Sequence, residues 1–309
     1  MTPRLPLAVM WHYVRGPEAT PRTGYRGVDP HTFRRQLDAL ARDATPVGWS
    51  DIQAAWAGDR RLPHDAVLLT FDDGLIDHHR VVLPALVERG LTATFFVLAR
   101  HRGDGLTLGH RIHVLLGVAP STEIRQAIED RLAPPDRARY DALRSDLTAT
   151  GLDDPDDLWK RPLQRELADV AGPVLTRLIE ERIGPEAEVA DTLHLGPGHL
   201  ADLTAAGMTI GGHTRHHPWL DGLERAAVRA EVAESAEHLR AIAPGPWPFA
   251  YPYGGVPRGA DTILASAGFG AAFTTVADDR SDRFHIGRRD ADDPAWTAWR
   301  WGASGGGSA

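Results

Sequence analysis

The feature that most constrains the fold of this chain is the alternation of short apolar segments with helical patterns. Each apolar segment has the length of a buried strand, and apolar residues at helical spacing, such as Phe33, Leu37 and Leu40, lie between them. Strands joined by helices build parallel βαβ units, so the pattern predicts an α/β fold. The predicted strands lie at residues 5–12, 66–71, 92–97, 208–213, 249–254 and 270–274.

The alternation stops between residues 101 and 194. This segment is rich in Arg, Asp, Glu, Leu and Ala, and one of the acidic residues at 153–157 is expected to cap a helix. A connection of about 90 residues is far longer than ordinary loops, and long insertions at a barrel mouth usually serve the site or an interface. We therefore expect these helices to cover the site; packing on the flank of the domain or a contact in a homo-oligomer is the alternative. The predicted helices lie at residues 122–132, 157–170 and 173–183.

Composition narrows the chemistry. The 34 Lys and Arg residues against 42 Asp and Glu give a net charge of −8, which lacks the basic surface that nucleic acids and anionic membranes attract. The absence of cysteine excludes disulfides, a thiol nucleophile and Cys-ligated zinc, so any metal must be held by carboxylates and by the 15 histidines. No stretch approaches the ~18 apolar residues of a membrane span, and no signal-peptide pattern opens the chain, so a cytoplasmic protein is expected.

Two adjacent aspartates follow the predicted strand at residues 66–71. Asp72 and Asp73 belong to the motif TFDDG at residues 70–74. The carboxyl ends of parallel barrel strands face the active site, and two neighbouring carboxylates there can divide the work, one binding a cation and the other accepting a proton. An ordinary Asp-Asp-Gly turn is the alternative that the motif alone leaves open.

Two histidines occur where the predicted strand at residues 208–213 ends. His213 and His217 are four residues apart, and imidazoles at this spacing can chelate one ion. Pro218 argues against a long helix, which places the pair on a loop after the strand. Two histidines and one carboxylate leave open positions on zinc or a similar ion such as cobalt, nickel or iron, as hydrolytic sites require. A His-rich loop without a metal is the alternative.

A third motif, FAYPYG at residues 249–254, ends another predicted strand. Proline and glycine there can expose a backbone N–H that stabilises an oxyanion, whereas a packed turn is the plain alternative.

Together the three motifs resemble those of the polysaccharide deacetylases of carbohydrate esterase family 4, the NodB-homology domain. That family is known for a TFDDG motif, a His-Thr/Ser-x-x-x-His type motif and an aromatic Pro-Tyr-Gly motif, in this order, and this chain also has the family's ATFFV stretch at residues 93–97. The resemblance covers residues 5–100 and 195–290. It implies a distorted (β/α) barrel, usually of seven strands, and metal-dependent removal of an N-acetyl group from an acetamido sugar or short glycan intermediate.

The resemblance also implies roles for individual residues. Asp73, His213 and His217 would hold the metal, and zinc is the ion we expect. Asp72 would be the general base, and Tyr253 would offer its backbone N–H to the oxyanion.

The chain departs from the family pattern at two places. Ala250 stands where many members carry an arginine that orients the base, and we predict that Arg288 supplies this group from another strand. The usual Leu-x-x-His acid motif is not clear. His285 lies near its place in a different local sequence, whereas His12 matches the first-strand histidine of members that resemble poly-N-acetylglucosamine deacetylases. We take His12 as the acid that protonates the leaving amine; a structural histidine is the alternative.

The predicted domain organisation follows. Residues 1–100 and 195–295 form the two parts of the barrel, residues 101–194 form the helical insertion, and residues 296–309 form a C-terminal tail. Trp296, Trp299 and Trp301 could stack on sugar rings, but their spacing favours the packing of a terminal helix.

Two other functions stay open at this point. The same hydrolysis could act on a small non-sugar N-acyl metabolite, or the chain could be a carbohydrate-binding relative without turnover. The complete set of Asp72, Asp73, His213 and His217 counts against the second. If the insertion covers the site, the substrate is a small or chain-terminal acetamido sugar rather than the middle of a long polymer.

Overall fold

The computed structural model describes residues 6–25, 27–276 and 282–293. Parallel strands form one sheet in this part of the chain, with the order β7-β6-β5-β4-β3-β1-β8, and β2 pairs with β3. The strands are β1 (Leu7–Trp11), β2 (Thr45–Val47), β3 (Ala66–Phe71), β4 (Thr94–Val97), β5 (Thr209–Gly212), β6 (Trp247–Ala250), β7 (Phe269–Phe273) and β8 (Arg288–Asp290).

The sheet curls until its two edges approach each other. A parallel bridge joins Phe273 at the end of β7 to Ile286, just before β8, and β8 pairs with β1. The predicted distorted (β/α) barrel is therefore confirmed, with seven strands along its path and β2 as a short addition. Every residue of β3 is buried, as expected for a parallel strand covered on both faces.

Helices surround the strands and fill the long connection between β4 and β5. The α-helices are α1 (Pro30–Asp43), α2 (Trp49–Ala57), α3 (Leu83–Glu88), α4 (Leu108–Leu116), α5 (Ser121–Glu129), α6 (Pro134–Ala149), α7 (Pro155–Arg165), α8 (Ala168–Arg182), α9 (Glu186–Leu193), α10 (Pro197–Ala205), α11 (Arg225–Arg240) and α12 (Ala260–Ala267). A π-helical turn, His78–Val82, precedes α3. Among the described residues, no helix is both long enough and apolar enough to cross a membrane.

Local sequence signals explain several helix ends. The Asp29 carboxylate accepts hydrogen bonds from the backbone N–H groups of His31 and Thr32, both at 3.0 Å, and so caps α1. In the insertion, Asp154 caps α7 in the same way, which confirms that the acidic run at residues 153–157 begins a helix. Gly90 takes a left-handed φ of 63° after α3, which is typical of the glycine that follows a helix.

The junction of α7 and α8 differs from the prediction. The helix predicted at 157–170 ends at Arg165, and the next helix begins at Ala168 rather than near Pro173. Leu167, with φ −126° and ψ 25°, separates the two. Proline usually belongs in the first turn of a helix, but here Pro173 lies inside α8, whose buried face packs in the core. Tertiary packing has outweighed the lost backbone hydrogen bond.

The insertion, residues 101–194, has a core of its own. Apolar side chains of its helices pack together and also against Tyr13 and Leu75, which follow β1 and β3. A bridge between Leu75 and His194 ties the end of the insertion to the loop that carries the two aspartates. The insertion therefore lies against the carboxyl ends of the strands. The three tryptophans predicted to pack a terminal helix, and the tail at 296–309, fall outside the described residues.

Candidate metal centre and active site

Three of the predicted residues converge at the carboxyl ends of β3 and β5. Asp73 follows β3 by two residues, and His213 comes directly after β5. The Nε2 atoms of His213 and His217 lie 3.4 and 3.3 Å from Asp73 Oδ1. One ligand atom from each of the three residues can be chosen so that all lie within 4.8 Å of one another.

The donor set fits a cation. Asp73 Oδ1 is buried without a hydrogen-bond partner among the described residues, which would be costly if nothing positive met it. The Nδ1 atom of His213 donates to the carbonyl of Ala250 at 2.8 Å, and this bond turns Nε2 toward Asp73. Such a bond behind a histidine is typical of metal sites, where it fixes the orientation of the ligating ring.

Unusual backbone conformations aim these side chains. Asp73, His217 and Tyr253 have φ values of 75°, 57° and 56°, in the left-handed region that costs a non-glycine residue roughly 1–2 kcal/mol. His217 thus lies on a loop, as Pro218 predicts, rather than on a helix. Such strained conformations persist only where the surrounding structure holds them, and they cluster at functional sites.

Asp72 has a different partner. Arg288, on β8, donates from Nη1 and Nη2 to the two carboxylate oxygens of Asp72, both at 2.6 Å. The Arg288 side chain is fully buried, and its Nε donates to the carbonyl of Thr274 at 3.0 Å. The arginine that pairs with Asp72 therefore comes from another strand. Ala250 has no side chain that could do so, but its backbone carbonyl accepts a hydrogen bond from His213.

Burial and pairing set the charges of the site. Burial alone would raise the pKa of Asp72, but the Arg288 guanidinium and then His213 outweigh it and hold that pKa below its ordinary value. Burial lowers the pKa of His217 to about 3, which leaves a neutral imidazole with a lone pair for an ion. Burial opposes a charge on His213 too, but the Asp73 and Asp72 carboxylates raise its pKa. A bound cation would replace that proton.

Of the two candidate acids, the structure places His12 at the site. His12 Nε2 lies 3.8 Å from Asp72 Oδ2, and the ring lines the same cavity. His285 Nδ1 instead pairs with Asp282 at 3.0 Å, and His285 is not among the described residues that line this cavity.

Aromatic rings form one wall of the site. The rings of Tyr253 and Trp219 stack with centroids 4.6 Å apart and planes only 7° from parallel. The Tyr253 ring also lies 4.6 Å from that of His217, edge to face. The FAYPYG motif therefore contacts the histidine loop in two ways: Tyr253 packs against His217, and the Ala250 carbonyl accepts a hydrogen bond from His213.

These groups line a cavity of about 270 Å³, and the insertion supplies part of its wall. Helix α4 contributes His110 and His113, and α7 contributes a row of polar side chains, Asp157, Lys160, Arg161 and Gln164. The insertion thus covers the strand ends rather than packing on the flank of the barrel. This volume is slightly below the usual range of about 300–1,000 Å³ for ligand sites.

Sequence reasoning missed the residues that the insertion brings to Asp73. His110 Nε2 lies 3.2 Å from Asp73 Oδ2, and its Nδ1 lies 2.9 Å from the Thr107 hydroxyl and 3.1 Å from His194 Nε2. Helix α4 was not among the predicted helices. The only local signal was a pair of histidines three residues apart in an apolar stretch.

A parallel barrel with two histidines and paired carboxylates at its strand ends has the groups that hydrolases use. Comparison with known proteins agrees with this class. A family model, "Polysaccharide deacetylase", matches residues 59–130 and 171–272, more than half of the chain. The chain belongs to the polysaccharide deacetylase family, as its motifs predict.

Solved structures show the same fold at low sequence identity. The chain is similar to the Streptococcus pyogenes deacetylase PplD in complex with acetate, at 18% identity over 94% of this chain and 93% of that one, with a TM-score of 0.56. It is similar to IcaB from Ammonifex degensii, at 18% identity over 96% and 97%, with a TM-score of 0.57. A de-N-acetylase from Aggregatibacter actinomycetemcomitans matches at 14% identity over 92% of both chains, with a TM-score of 0.53. No curated protein matches the chain.

Proposed function

We propose that this deacetylase is a metal-dependent enzyme that removes the N-acetyl group of a small acetamido sugar or a short glycan intermediate. One observation carries the proposal: Asp73 Oδ1 is buried and faced by the Nε2 atoms of His213 and His217. These residues would hold a divalent ion, zinc being the first candidate because the set combines nitrogen and oxygen ligands. When bound, the ion supplies a Lewis acid for the amide carbonyl and lowers the pKa of water.

We assign tasks to the remaining groups, to the side chains from their positions and to the Tyr253 backbone from the family resemblance. Asp72 takes the proton of the attacking water as the new C–O bond forms, and Arg288 holds both of its oxygens in place. The backbone N–H of Tyr253 stabilises the developing oxyanion. His12 gives a proton to the nitrogen as the C–N bond breaks, which releases acetate and an amine.

The cavity supports the choice of substrate. Side chains of α7 line a space of about 270 Å³ that also contains the candidate metal ligands. A sugar ring with its acetamido group fits a space of this size, and the α7 side chains on one wall leave less room for the flanking units of a long polymer. Among carbohydrates we therefore favour monomers, short oligomers and chain ends.

Metal content and turnover together test the proposal. Purified wild-type protein should hold about one divalent ion per chain, measured by elemental mass spectrometry, and the His213→Ala/His217→Ala variant should lose most of it. Asp72→Asn should keep the ion and lose several orders of magnitude in kcat, because the water is no longer deprotonated. Asp73→Asn should lose the ion itself.

The roles of the two aspartates are reversed if Asp72→Asn loses the ion and Asp73→Asn keeps it. Full metal occupancy in the double histidine variant contradicts the assigned site. A panel of N-acetyl compounds, assayed by acetate release, tests the substrate class; turnover confined to non-sugar amides would contradict the sugar assignment.

A further inference from the structure

The two oxygens of the Asp73 carboxylate face different partners. Oδ1 is turned toward His213 and His217, while Oδ2 accepts a hydrogen bond from Nε2 of His110 at 3.2 Å. His110 belongs to the insertion, on helix α4, and is 37 residues away in sequence. It is not one of the three residues that converge as candidate ligands.

His110 is itself held on its other side. The Thr107 hydroxyl donates to its Nδ1 atom at 2.9 Å, and the His194 ring packs beside it with Nε2 at 3.1 Å from the same atom. His194 in turn donates from Nδ1 to the carbonyl of Ala190, in α9, at 3.0 Å. Thr107 also caps α4, since its oxygen accepts the backbone N–H of His110.

These groups are shielded from water. His110 and His194 are each 2% exposed, and Thr107 is 8% exposed. A hydrogen bond in such surroundings is not exchanged for one with solvent, so it limits the rotation of the carboxylate that receives it. Asp73 therefore has one oxygen fixed by the insertion and the other left for an ion.

We propose that His110 is a positioning residue: it orients Asp73 for the metal and so couples the insertion to metal affinity. This inference rests on the proposed role of Asp73 as a ligand. Partners that orient a metal ligand from behind typically account for 10–100-fold in metal affinity. Because the contact is mutual, a metal that holds Asp73 in place also stabilises α4 and α9 against local opening.

Metal affinity of three variants tests the proposal. The dissociation constant for Zn²⁺ is measured by competition with a chromophoric chelator at fixed pH, and the absorption spectrum of bound Co²⁺ reports the geometry of the site. His110→Leu removes the donor and should weaken Zn²⁺ binding about 10–100-fold, with a changed Co²⁺ spectrum. His110→Gln keeps an N–H donor and should recover most of the affinity. His79→Leu is the matched control, because His79 also bonds to an aspartate, Asp202, at 2.8 Å but does not line the cavity; its affinity should stay within about threefold of wild type.

Hydrogen exchange of the wild-type protein provides a test that needs no variant. Addition of Zn²⁺ should slow amide exchange in residues 107–116 and 186–194 more than in α11, which lies outside the insertion. Equal Zn²⁺ affinity of His110→Leu and wild type, or no change in exchange in the two segments, would overturn the inference and leave the proposed function intact. Failure of the wild type to bind any divalent ion would overturn the proposed function, and this inference with it.

Discussion

The buried pair between Arg288 and Asp72 gives the sharpest energetic prediction. Its two hydrogen bonds of 2.6 Å join side chains that are 0% and 2% exposed. Replacing Arg288 by methionine leaves the Asp72 carboxylate buried without a counter-charge, which typically costs about 3–5 kcal/mol. We expect Arg288→Met to lower the free energy of unfolding by that amount, a large part of the ~5–15 kcal/mol of a normal domain. Burial should then raise the pKa of Asp72.

A double-mutant cycle separates this pair from its surroundings. Asp72→Asn alone leaves the guanidinium buried without its anion, so it should also destabilise. In the Asp72→Asn/Arg288→Met variant neither charge remains, so its loss should be at least about 2 kcal/mol smaller than the sum of the two single losses. Arg288→Lys keeps the charge but cannot form two parallel hydrogen bonds, so an intermediate loss is expected.

Urea unfolding followed by circular dichroism, in the presence of a metal chelator, measures each free energy. Arg42→Met is the exposed control. Arg42 pairs with Asp43, and its side chain is 70% exposed, so its removal should leave the free energy of unfolding unchanged within the error of the measurement. Additivity of the two single losses within about 0.5 kcal/mol would refute the reasoning, because it would mean that the two charges do not depend on each other.

Two further predictions concern pH and substrate size. Burial lowers the pKa of His78, His113 and His194, so below their ordinary pKa of ~6.5 the unfolded chain binds protons that the folded one does not. The free energy of unfolding should therefore fall as the pH falls from 7.5 to 5.5, by up to about 1.4 kcal/mol per pH unit for each histidine. Urea unfolding in the presence of chelator measures this change, and a rise in the free energy of unfolding would contradict the prediction. The covered cavity predicts that kcat/KM for acetate release is at least about tenfold higher on monomeric or short N-acetylated sugars than on internal units of an insoluble polymer, and equal rates would contradict the substrate assignment.

Local sequence was sufficient to predict those strands and site residues whose conformation depends on their neighbours along the chain. The largely apolar run AVLLTF at residues 66–71 predicts the strand β3, and the two aspartates after it must lie at its carboxyl end. The same holds for His213 after β5. Because the carboxyl ends of parallel strands meet at one face of the sheet, alternation alone predicts that these side chains converge.

Prediction was weaker where packing competes with local preference. The sequence predicts a helix start at Pro173, but Pro173 lies inside α8 because the buried residues around it belong to the core of the insertion. Helices α4, α6 and α9 and the short strand β2 were not predicted at all. Helix α4 packs against α8, which lies much further along the chain, and a single sequence does not show that partnership.

The apolar segments and their spacing were enough to predict a parallel α/β fold, and the motifs that follow them were enough to predict the family, the barrel that it implies and the residues at the strand ends. The contacts with those residues depend on the tertiary structure: Arg288, predicted only as the substitute for the family's arginine, reaches Asp72 across 216 positions, and His110, which was not predicted, reaches Asp73 from the insertion. Such contacts depend on how the sheet curls and on where the insertion folds back. They are set by the burial of surfaces that become neighbours only when the whole chain has folded.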